Sequence, residues 1–167
     1  MADPIGSTQY LKKRLGTLVT EAISGNPHFG TIINDWDKIP QYIARNLPIV
    51  SIRMGTTTTE DEYYGMILQS ANSLTQGKTE MVDFSIHCFA SACREDGEEE
   101  YRYAHKLADS VKDKLEEERF AQRSYGITDI VDLTSRPSMF ESVPRSVKRV
   151  IVEGKIEIVR EHSYSYS

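Results

Sequence analysis

Residues 81–91 alternate with a period of two. Val82, Phe84, Ile86, Cys88 and Ala90 fall on one side, and Asp83, Ser85 and His87 on the other. Successive strand side chains point to opposite faces, so the run predicts a β-strand with one face buried. Such a face needs sheet partners and a covering layer from the rest of the chain.

Partner strands are predicted at 49–54, 64–70, 127–133 and 147–160. The first, Ile-Val-Ser-Ile-Arg-Met, is rich in β-branched residues; the last puts Val150, Val152, Ile156 and Ile158 on one face and Lys155 and Glu157 on the other. The tract 56–62 is too polar for a core, and 72–77 and 134–137 read as turns. Two helices supply the cover. Tyr10, Leu11, Leu15, Leu18, Val19, Ala22 and Ile23 recur at helical spacing, with Ser7 or Thr8 as cap and Gly25-Asn26-Pro27 as terminator. A second helix over 97–120 carries the stripe Ala104, Leu107, Ala108, Val111 and Leu115, with i,i+4 pairs Lys112–Glu116 and Lys114–Glu118. The segment 29–46, with the only tryptophan, Trp36, gives mixed signals, and Pro40 can open a short turn there.

The order predicts an α+β fold: a mainly antiparallel sheet of about four to five strands packed by two helices. A chain of 167 residues suits one domain. The stretch 55–77 is expected as an extended β-hairpin arm, which is marginal in water without a surface to pack on. The residues 161–167 read as a flexible tail.

The formal charge is −5 with no basic block, which argues against a duplex-binding protein. No stretch is long and apolar enough to span a bilayer, and the first residues show no basic and apolar regions of a secretory signal. Cys88 and Cys93 read as a reduced intracellular pair, with a disulfide as the lesser alternative. Adjacent His87 and Cys88 point to opposite strand faces, so a zinc site with Cys93 is disfavoured. Cys88 is simply a small buried hydrophobe. Neither a nucleophile elbow nor a glycine-rich phosphate loop occurs. No catalytic residue, cofactor or metal is expected, and the protein is expected not to be an enzyme. The acids Glu95, Asp96, Glu98, Glu99 and Glu100 lack cation-loop spacing and fit the positive end of the second helix. Nine tyrosines against one tryptophan, several in polar surroundings, suit an interface and equally suit half-buried strands.

The N-terminal amphipathic helix, the strand Leu-Pro-Ile-Val-Ser-Ile, the extended hairpin, the strand Met-Val-Asp-Phe-Ser-Ile-His-Cys-Phe-Ala, the helix ending Leu-Ala-Asp-Ser-Val-Lys-Asp-Lys-Leu and the strand Arg-Val-Ile-Val-Glu-Gly-Lys-Ile-Glu-Ile-Val together form a layout. It resembles the tail terminator (tail-completion) proteins of long-tailed viruses over residues 8–160. That resemblance implies a virion protein, assembled in the host cytoplasm, that closes into a six-membered ring on the head-facing end of the tail tube. Its partners are further copies of itself, the tail tube protein and the head connector; genomic DNA passes through without sequence-specific binding. The hairpin residues Tyr63, Tyr64, Met66, Ile67 and Leu68 are the subunit-interface candidates. Glu95, Asp96, Glu98, Glu99 and Glu100 are the candidates for the channel face. The alternatives are a head-closure or neck connector, a tail tube subunit, a small enzyme or ligand-binding protein using His87 and Cys93, and an interaction domain of an unrelated complex.

Overall fold

The computed structural model describes residues 4, 6–24, 32–33, 47–69, 73–93, 99–139 and 146–165. Helix α1, Thr8–Ile23, starts where the Ser7 hydroxyl accepts the Tyr10 amide, and its last amide bond runs from Ser24 to Thr20. The terminator 25–27 lies outside the described residues. Next come β1, Ile32–Ile33, β2, Ile49–Gln69, and β3, Ser73–Ser91. Helix α2, Arg102–Glu118, leads into a 3-10 turn, Ala121–Tyr125, and then β4, Asp129–Ser138, and β5, Val147–Ser165. The sheet order is β1-β2-β3-β5-β4: four antiparallel strands with the short parallel β1 at one edge. This is the expected α+β fold.

Both helices cover one face of the sheet. Leu11, Leu15, Leu18 and Val19 of α1 and Ala104, Leu107, Ala108, Val111 and Leu115 of α2 meet Val50, Ile52, Val82, Phe84, Ile86, Cys88, Val150, Val152 and Ile156 in one buried core. Each large side chain removed from water there contributes about 1.5–3 kcal/mol. At the far end of α2, Arg119 grips the Asp129 carboxylate with two bonds of 2.9 and 3.0 Å, fastening the helix to β4.

Five expectations are corrected. First, residues 49–69 form one strand: threonine is β-branched, and three register irregularities let the polar tract 56–62 continue along β3. Residues 73–77, expected in a turn, are strand as well, while 70–72 lie outside the described residues. Second, the arm is three-stranded, and 161–165 is no free tail. Ser73 to Ser91 pairs without interruption with Val147 to Ser165, so backbone bonding extends β5 where apolar side chains are lacking.

Third, α2 begins at Arg102 rather than 97, with no acid in its first turn. The Cys93 amide bonds the Glu100 carbonyl at 3.0 Å, which ties that backbone to the end of β3 and delays the helix. Fourth, 134–137 belongs to β4. This is an edge strand, where Pro137 forfeits no inner ladder bond. A bulge between Val131 and Thr134 puts Asp132 at φ 55°, and opposite it Gly154 leaves room for the Phe84 ring. A Cβ there would sit 2.8 Å from Phe84 Cζ and 2.9 Å from Leu133 Cδ2. Fifth, the sheet buries both faces at one end: Ile49, Ser51, His87, Phe89, Arg149 and Ile151, which oppose the helix-covered face, are buried too.

Where the helices end, the sheet does not. Arg160 donates to the buried Glu80 carboxylate at 3.0 Å and to the Gly6 carbonyl at 2.9 Å, marking the edge of the body. Beyond it β2, β3 and β5 continue as a three-stranded blade of roughly 25 Å at about 3.3 Å per residue.

Candidate functional site

Two features stand out: the blade and a cavity on the sheet face opposite the helices. Tyr63, Tyr64, Met66, Ile67 and Leu68 all lie on β2 within the blade, with Tyr63 beside Lys78, Tyr64 beside Gly77 and Leu68 beside Thr75. The backbone alone is described there. The two long edges of the blade differ. Along β2 the pairing with β3 is broken by repeated irregularities, which twist an edge away from further pairing. Along β5 the pairing with β3 is regular, and β4 pairs only up to Glu157, leaving the outer edge of 158–165 without a neighbouring strand among the described residues.

The cavity holds about 690 Å³ and is lined by residues that include Arg53, Ser85, His87, Arg136, Ile151 and Glu153. Register explains the gathering: Ser51 stands opposite His87, Arg53 opposite Ser85, Ser85 opposite Glu153, and Arg136 opposite Ile151. Where one strand supplies two of these residues, they stand two positions apart. Arg136 pairs with Glu153 at 3.1 Å, and Arg149 donates to Ser138 Oγ at 2.8 Å and to the Met139 carbonyl at 2.7 Å.

His87 sits between Arg149 Nη1, 3.4 Å from Nδ1, and Ser85 Oγ, 3.0 Å from Nε2. A guanidinium can only donate, so Nδ1 accepts; Nε2 then carries the ring hydrogen and donates to Ser85. Burial, followed by the charges of Arg149, Arg53 and Arg136, holds the imidazole down to about 3, so the ring is neutral at pH 7. This arrangement is the reverse of a nucleophile with its base, because the ring nitrogen facing Ser85 has no free lone pair to take its proton. The cavity instead presents hydroxyl and guanidinium donors.

Cys93 does not join His87. Four strand positions, about 13 Å, separate His87 from Ser91, and Cys93 lies two residues further on. Both cysteines are free and buried, and burial pushes the Cys88 thiol far above its ordinary range. Among the described residues no three His, Cys, Asp or Glu side chains gather as a metal site. Of the acids, Glu99 and Glu100 are exposed, near His105 at 3.4 Å and Lys148 at 3.2 Å respectively. Glu95, Asp96 and Glu98 lie outside the described residues. Sequence reading missed the roles of Arg53, Ser85, Arg136 and Arg149. Their signal was the polar period-two positions opposite the core stripe, which become a group only once strand pairing is known.

No model of a known protein family matches the chain, and no curated protein matches it.

Proposed function

We propose that the protein is a structural subunit that assembles head to tail into a closed ring, and that the ring caps the head-proximal end of a viral tail tube. The observation that carries this reading is the regular β5 edge at 158–165, which has no neighbouring strand among the described residues. Unpaired strand N–H and C=O groups form a template for another chain. The opposite, irregular β2 edge is unlike it, so the two sides of the subunit differ, as a head-to-tail contact requires. Such a contact closes when its rotation completes a circle and grows into a filament when it does not; a terminator must close. The tube-capping role rests on the resemblance of the element layout to that of tail terminators. Its partners are then the tail tube protein below and the head connector above.

Light scattering and negative-stain imaging of the purified chain, alone and with a tail tube subunit, test the reading. Discrete rings that stop tube growth are the expected outcome. Unlimited polymers favour a tube protein, and a ring indifferent to tube subunits favours a neck connector. A persistent monomer that turns over a small molecule defeats the proposal.

A further inference from the structure

The cavity on the sheet face opposite the helices plays no part in the ring reading, and its hydrogen bonds run in one direction. Arg149, itself buried, is set by its bonds to Ser138 Oγ and the Met139 carbonyl, and it donates to His87 Nδ1. The ring hydrogen on His87 Nε2 goes in turn to Ser85 Oγ at 3.0 Å. The Ser85 oxygen is thus used as an acceptor, and its own hydrogen has no acceptor among the described residues. Bonds in such a chain polarise one another, so the last hydroxyl is a strengthened donor. Ser85 is half-buried and lines the cavity.

Two exposed arginines flank that hydroxyl. Arg53 stands opposite Ser85 on β2, and Arg136 stands on β4, across β5 from His87. Arg136 holds Glu153 through Nε and Nη2, at 3.5 and 3.1 Å, which leaves its Nη1 donors. A guanidinium carries five N–H donors in a fork that matches an oxyanion, so an arginine with one partner still has donors to give. The charges acting on His87 are those of Arg149, Arg53 and Arg136, and Glu153, opposite Ser85, returns one negative charge. Three positive groups against one negative suit a dianion better than a single carboxylate, and a phosphate monoester carries about −1.5 to −2 at pH 7. The other end of the cavity differs. Asp83 and Asp132 line it, with Lys155 opposite Asp83. Carboxylates there repel a second phosphate and accept hydrogen bonds from hydroxyl groups. The volume of about 690 Å³ exceeds what a bare phosphate fills and falls among small-molecule sites, about 300–1,000 Å³.

We propose that the cavity binds a small phosphate monoester rich in hydroxyl groups, with its phosphate on Ser85, Arg53 and Arg136 and its hydroxyls toward Asp83 and Asp132. Titration calorimetry of the full chain with glucose 6-phosphate, inorganic phosphate and glucose tests it, with the His87 ring followed by nitrogen NMR. Glucose 6-phosphate is expected to saturate one site about tenfold or more tighter than inorganic phosphate, because only it reaches the acids. Glucose alone is expected to give no saturable heat. The His87 Nε2 resonance should shift in step with occupancy, since its bond partner Ser85 meets the phosphate. Arg53→Gln and Ser85→Ala are each expected to weaken binding about tenfold, with an unchanged circular dichroism spectrum as the folding control. Arg123→Gln, which does not line the cavity, should leave binding as it is. No saturable heat with either phosphate, equal affinity for the two, or binding that survives both cavity variants overturns the proposal, whatever the oligomeric state of the chain.

Discussion

The body and the blade share the same three strands, yet different forces hold them. In the body, β2, β3 and β5 alternate apolar side chains under two helices, and Leu11, Leu15, Leu107, Val111 and Leu115 are fully buried. In the blade the same strands run on through residues such as Thr75, Ser163 and Ser165, paired by backbone. Body stability thus comes from packing and is hard to trade away. The blade strands are joined by ladder bonds, whose net worth in water is modest, about 1 kcal/mol each. The difference teaches where each role can reside: the body fixes the strands, and the blade carries their edges on, where the proposed contact would lie.

The largest way to break this contrast lies in the body. Leu107→Ala is expected to cost about 2–5 kcal/mol in denaturant unfolding, because it hollows the junction of helix and sheet. Gly154→Ala should cost about 1–3 kcal/mol, since the new Cβ would collide with Phe84 and Leu133. At the boundary, Arg160→Ala leaves the buried Glu80 carboxylate without its guanidinium and is expected to cost a similar or smaller amount, about 1–3 kcal/mol. Removing 161–167 sharpens the comparison. The body's unfolding midpoint should move by less than about 0.5 kcal/mol, while ring formation, read by light scattering, should fail. If deletion unfolds the body, blade and body form a single cooperative unit and the contrast dissolves.

A further effect is a pH dependence at the far-face cavity. His87 titrates near 3 in the fold and near 6.5 when unfolded. The unfolded chain therefore takes up the proton first. The contribution of the neutral ring is complete above about pH 6.5 and is lost as the pH falls from there towards 3. His87→Asn should flatten this slope relative to the wild type in thermal melts taken between those limits.

The body was the legible part. The strands 49–54, 81–91 and 147–160 and both helical stripes follow from apolar periodicity, and packing then makes the periodicity true. The blade is legible in part: 64–70 reads as a strand and 55–77 as a hairpin arm, while Thr56–Thr59 reads as a break and 161–167 as a tail. Likewise Thr134 to Pro137 carried turn residues but sits at a sheet edge, where proline is tolerated. The delayed start of α2 depends on a bond from Cys93 to Glu100 that no local pattern announces. The cavity was invisible for a different reason. Arg53, Ser85, His87, Arg136 and Arg149 come from four strands, and only the register brings them together.

The grip of Arg160 on Gly6 has a mechanical side. A pull along the blade loads the long β3–β5 ladder in shear, so many bonds resist at once instead of unzipping one by one. Through Arg160 part of that load reaches the backbone just ahead of α1, and from there the helix that anchors it in the core. Tension on the protruding strands is thus shared with the body's first helix, as a strut shares the load of a beam.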